Sequence, residues 1–138
     1  MTLTTAAPIL AALGFVAFAL TVAVVPPRSE SAPRARAWMF PATTCVAFLA
    51  WTLYALANDG LVAIWQEISR SLWSNQIFID LLIAAAIALA FLVPEARRLG
   101  MKPLPWVIAT AATGCIALLA MLARMLFLRA REASARVR

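Results

Sequence analysis

The sequence contains no histidine. Its absence excludes haem or zinc centres held by histidine and a histidine general base. Only two cysteines are present, Cys45 and Cys115. They are too few for a zinc or iron–sulfur site, and each falls in an apolar run, where free cysteine behaves as a small buried hydrophobe. No metal and no cofactor is expected. Charge is scarce as well: 13% of the 138 residues are charged and 64% are hydrophobic, against about 25% and about 45–50% in ordinary soluble domains. A soluble chain this small keeps too much of its surface in water to hide so many apolar side chains. Acidic residues are the scarcest, 6 Asp+Glu against 12 Lys+Arg, for a net charge of +6. In a soluble protein that balance suggests nucleic acid. Here the basic residues stand between or after long apolar runs, as membrane flanks do, so lipid is the expected partner and nucleic acid is not. The first basic residue is Arg28, so the apolar N-terminus lacks the positive start of a secretory signal and reads as an uncleaved first helix.

Four segments approach the roughly 20 apolar residues that a membrane span needs. Backbone polar groups in lipid must be satisfied within the segment, which makes such spans helices. The first covers about 6–25 and stops at Pro26-Pro27, before a polar linker with Arg28, Arg34 and Arg36 against Glu30. The second covers about 37–57, with Trp38 near its start, Tyr54 near its end and Pro41 in its first turns. Asn58-Asp59-Gly60 then makes a turn. The third covers about 76–93 and ends at Pro94; the fourth covers about 105–128, with Trp106 at its entry and a basic tail over 129–138 behind it. Segment 61–73 differs. Leu61, Ile64, Trp65, Ile68 and Leu72 recur at helical spacing, while Gln66, Glu67, Ser69, Arg70 and Ser71 fill the other side. It is too short and too polar to cross, and reads as an amphipathic helix in the interface. The expected architecture is all-α: a single membrane domain, residues 1–138, of four spans in two hairpins with one interfacial helix.

With four spans, one side holds Arg28, Arg34, Arg36, Arg97, Arg98 and Lys102, and the other holds Arg70 and the tail arginines. The positive-inside rule is then nearly balanced. The uncharged N-terminus is easy to translocate, so both termini are expected outside, in the periplasm, with the basic loops in the cytoplasm.

Two ionisable residues fall within the expected spans, Asp80 and Arg124. Level positions across the last hairpin put Arg124 opposite Asn75 and Gln76, with Asp80 about 6–7 Å deeper at 1.5 Å per residue. Intramembrane charges usually face the bundle and pair, which predicts an Asn75–Asp80–Arg124 polar cluster; the alternative is separate snorkelling to water. Around the third loop, Glu95 and Arg98 are spaced to pair on a short helical extension, and Gly100 supplies the turn. Glu95, Arg97, Arg98 and Lys102 are the candidate contacts to lipid head groups or a partner, against the plainer role of setting topology. Small residues Ala84/Ala88, Ala86/Ala90 and Thr110/Gly114, with Ala117 beside the last pair, would let helices approach closely, within the chain or against another protein. Trp65 and Trp73 either roof a pocket over Asp80 or belong to an interfacial aromatic belt.

Asn75, the Asp80-Leu81 pair and the run Glu95-x-Arg97-Arg98-Leu99-Gly100-Met101 resemble a family of small bacterial integral membrane proteins of unknown function. In that family an Asn and an Asp-Leu open a span, a Glu/Gly-Arg-Arg-Leu-Gly-Met loop follows, and a last span ends in arginines. The resemblance covers about 74–131. It implies a bacterial inner membrane protein and carries no assigned activity. A more distant likeness to membrane terpene cyclases would make Asp80 the protonated acid of an isoprenoid cyclisation, with Asn75 and Arg124 beside it. The sequence thus supports two functions: an accessory or structural subunit packing against lipid, itself or a larger membrane complex, or an enzyme or binder for a hydrophobic isoprenoid-type substrate.

Overall fold

The computed structural model describes residues 11–16 and 36–136. Residues 11–16 are helical and fall in a unit of their own, Met1–Ala32; the rest of the chain forms a second unit, Pro33–Arg138. Most of the expected first span, the linker up to Ala35 and the last two residues of the tail lie outside the described residues.

The described residues of the second unit form five helices: α1, Met39–Asp59; α2, Leu61–Ser69; α3, Leu72–Arg98; α4, Pro103–Thr113; and α5, Cys115–Arg136. No strand occurs among the described residues. α1 starts where its expected span does. Pro41 sits in its first turn, where a missing N–H costs little. Thr43, Thr44 and Thr52 donate their hydroxyls to Met39, Phe40 and Phe48 carbonyls of the preceding turn, so the helix presents few free polar groups. It ends at Gly60, whose φ of 78° is a conformation that glycine adopts without strain.

α2 is shorter than the amphipathic segment expected over 61–73. Ser71 caps a new helix instead, its side chain accepting from the Ser74 backbone N–H at 3.1 Å, so Leu72 and Trp73 belong to α3. α3 also runs past the expected stop at Pro94. The proline removes one backbone donor, but a glycine cap secures the turn beyond it. The Gly100 N–H donates to the Arg97 carbonyl at 3.0 Å and the Met101 N–H to the Ala96 carbonyl at 2.9 Å, with Gly100 at φ 70°. This is the paired bonding of a Schellman motif, and Ala96 and Met101 are both buried beneath it.

The expected fourth span over 105–128 is not continuous. It breaks at Gly114, with φ 59° and ψ −126°, and α5 turns back beside α4. An ion pair requires this: Arg129 Nη2 lies 2.7 Å from Glu95 Oε1 at the end of α3. On a straight helix from Pro103, Arg129 would stand about 39 Å away, at 1.5 Å per residue. Small residues line the reversal: Thr110 and Ala117, one turn to either side of Gly114, are buried. Opposite it, the Cys45 thiol of α1 donates to the Ile116 carbonyl at 3.4 Å. α1 runs antiparallel to α5, with Trp38 edge-on to Phe127 at 5.6 Å. α5 packs on α1, α3 and α4, while α1 and α3 do not touch each other.

The core is small and rich in methionine. Ala96, Met101, Met121 and Met125 are buried together, with Leu89, Leu92, Val93, Leu99, Trp106 and Leu128 packed around them. Methionine suits such an irregular junction because its unbranched chain fills gaps of uneven shape. By contrast, the most apolar 18-residue stretches of α1 and α3 are only 6% and 0% buried inside the structure. A core helix of a soluble protein would be mostly buried. Outward-facing apolar surface on this scale needs a lipid or protein cover.

Candidate functional site

The ion pair, the glycine turn and the α5 return gather charge at one end of the second unit. Arg36 precedes α1, Arg97 and Arg98 end α3, Lys102 opens α4, and Arg129 and Arg131 lie near the end of α5. All six side chains are exposed, and Glu95 and Glu132 are the carboxylates among them. The other end, between α1 and α3, carries Asp59, Glu67 and Arg70. There Arg70 pairs with Glu67 at 3.2 Å.

Glu95 is the hub of the basic end. One carboxylate oxygen takes Arg129 at 2.7 Å and the other lies 3.7 Å from Arg98, three residues on. The first contact ties the return of α5 to the end of α3; the second is the local pair that the spacing implies. Arg97 and Lys102 form no ion pair among the described residues. They flank the Gly100 turn, five residues apart, above the buried Met101. If Glu95 and Arg129 hold the return together, Glu95→Gln and Arg129→Gln should each lower thermal stability in detergent. The double variant should lose less than the sum of the two; simple additivity in that cycle would show the contact to be idle.

The other residues picked out by the sequence are dispersed. Asp80, Asn75 and Arg124 are all exposed, and no ion pair or hydrogen bond joins them. Arg124 lies five residues before Arg129, towards the Glu95 end. Asp80 lies fifteen residues from Glu95 along α3, about 22 Å at 1.5 Å per residue. The level matching that brought Asp80 and Arg124 together assumed a straight fourth span, and the reversal at Gly114 removes that alignment. Trp65 on α2 and Trp73 on α3 are exposed, and Asp80 stands on the open surface of α3 rather than within an enclosing apolar wall. Of the small-residue pairs, Thr110, Gly114 and Ala117 are used inside the chain, whereas Ala84, Ala86 and Ala90 are exposed. Sequence reasoning missed the partnership of Glu95 with Arg129. The available signal was Gly114, a glycine in the middle of an expected helix.

These features define a small all-helical protein in which, among the described residues, two helices, α1 and α3, are long and apolar enough to cross a membrane. The chain belongs to the family described as "Protein of unknown function DUF2834", whose model matches residues 42–132. The match begins inside α1, so it takes in more of the chain than the 74–131 motif region. No curated protein and no solved structure matches the chain.

Proposed function

We propose that the protein is an accessory or structural component of the bacterial inner membrane that works by packing against lipid, itself or a larger membrane complex. α1 and α3 cross the bilayer, α2 lies in the outer interface, and α4–α5 is a hairpin that enters and leaves from the cytoplasmic side. The observation that carries this reading is the segregation of charge: six exposed cations stand at one end, while Arg70, the one described cation at the other, is paired with Glu67. By the positive-inside rule the end with the arginines faces the cytoplasm. The sequence alone gave a near tie because a straight fourth span sends the tail arginines to the opposite side. The return of α5 groups Arg129 and Arg131 with Arg97, Arg98 and Lys102, so the C-terminus is proposed to be cytoplasmic. The N-terminus, given the expected span over 6–25, stays outside. The exposed face of α3, with Ala84, Ala86, Ala90 and an Asp80 that has no ion-pair partner among the described residues, supports a packing role, because an intramembrane carboxylate is costly without a partner.

Single-cysteine mapping tests the topology. In a Cys45→Ser/Cys115→Ala background, Ser69→Cys should react with a membrane-impermeant maleimide in intact cells. Ser134→Cys should react only after permeabilisation. The opposite pattern inverts the orientation, and labelling of both from one side removes the return of α5.

A further inference from the structure

We infer that the Gly100 turn carries an anionic phospholipid site in which Arg97 and Lys102 grip the head-group phosphate. The inference rests on the proposed placement of the basic end at a membrane surface, though not on which side that surface faces.

Three observations assign the phosphate to these two residues rather than to the basic end as a whole. Glu95 takes Arg129 at 2.7 Å and stands 3.7 Å from Arg98, so both of those guanidiniums already have a carboxylate. Four exposed cations at this end, Arg36, Arg97, Lys102 and Arg131, have no carboxylate partner among the described residues, and of these only Arg97 and Lys102 border the Gly100 turn. The backbone fixes their relation. The Schellman bonds from Gly100 and Met101 close the chain between them, and the buried Met101 anchors the turn in the methionine core. A guanidinium offers a planar fork suited to phosphate oxygens, and an ammonium adds a compact charge. Around the turn, Phe91 on the final turns of α3 and Leu104 on α4 are strongly exposed apolar side chains, as acyl-chain contact requires. Lipid fits this juxtaposition of free cations and bare apolar surface better than a soluble anion does, because a soluble anion has no use for the apolar part.

Native mass spectrometry of the full chain in detergent, titrated with phosphatidylglycerol and in parallel with phosphatidylcholine, tests this. Wild type should bind the first phosphatidylglycerol at least tenfold more tightly than phosphatidylcholine. Arg97→Gln and Lys102→Gln should each weaken phosphatidylglycerol binding about fivefold, the usual worth of one basic residue near an anionic surface. Arg97→Lys should recover most of the loss. Arg70→Gln, which removes the same charge at the far end, should change nothing. Equal weakening by Arg70→Gln would reduce the effect to net charge, and equal affinity for the two lipids would remove the site. Displacement of the lipid by millimolar inorganic phosphate would assign the cations to a soluble anion instead. Recovery of the chain in the soluble fraction after alkaline extraction of membranes would overturn the membrane reading itself, separately from the site.

Discussion

Under the proposed topology, replacing Gly114 by alanine should divide the C-terminus between the two sides of the membrane. The residue sits at φ 59° and ψ −126°, a region that is essentially closed to side chains, with strain of about 1–3 kcal/mol. An added Cβ would meet nothing within 4 Å, so the penalty is purely conformational. The competing state is a continuous helix, where alanine gains about 1 kcal/mol over glycine. The two effects sum to about 2–4 kcal/mol, a shift of roughly 30- to 700-fold towards the straight form. Straightened, 105–128 has 24 residues and about 36 Å of length, enough to cross a hydrocarbon core of about 30 Å. Opposing this are the Glu95–Arg129 pair, the methionine cluster and the reluctance of arginines to translocate. A mixed population is therefore expected, read from C-terminal fusions to a reporter that is active only in the cytoplasm and to one active only outside. A tail that stays wholly on its original side, with unaltered thermal stability, would show that the reversal does not depend on glycine.

Met121→Ala should be the most destabilising single truncation in the second unit. Met121 has 0% exposure and is the largest fully buried side chain among the described residues. It lies on α5 in the buried cluster with Met125, Ala96 and Met101. Emptying that position removes apolar contacts and leaves a gap that rigid neighbours fill poorly, at a cost of about 2–5 kcal/mol for Met→Ala. The matched comparison is Leu82→Ala on α3, where the side chain is 54% exposed and lipid or detergent fills the space. Unfolding in one detergent should show a large drop in midpoint for the first variant and little change for the second. Equal drops would mean that the methionine cluster is not the centre of the fold.

The parts legible from sequence depend on local chemistry. The all-helical class, α1 with its early Pro41 and terminal Gly60, and the polar break before α3 follow from hydrophobic run length and turn residues. The Gly100 turn was also visible, because a glycine after two arginines at a helix end meets the need for positive φ. What escaped was decided by packing. Pro94 looked like a stop, yet the helix continues to Arg98 because the cap and the burial of Ala96 outweigh one lost donor. Leu72 and Trp73 kept the apolar period of α2, but the Ser71 cap restarts the helix before them. Gly114 looked like part of a small-residue face. Whether such a glycine is kept straight or bent is settled by partners distant in sequence, here Glu95, Cys45 and the methionine cluster. The Asp80–Arg124 expectation failed with it, since every level match along that helix presupposed a through span.

The reversal at Gly114 also has a mechanical consequence. α1 and α3 are long enough to pass through both leaflets, but under the proposed topology α4 and α5 add their width to the cytoplasmic leaflet only. The second unit then displaces more lipid on one side than on the other and behaves as a wedge in the lateral-pressure profile of the bilayer. Its insertion energy becomes sensitive to spontaneous curvature, so lipids of unequal head-group size would sort around it without any further contact.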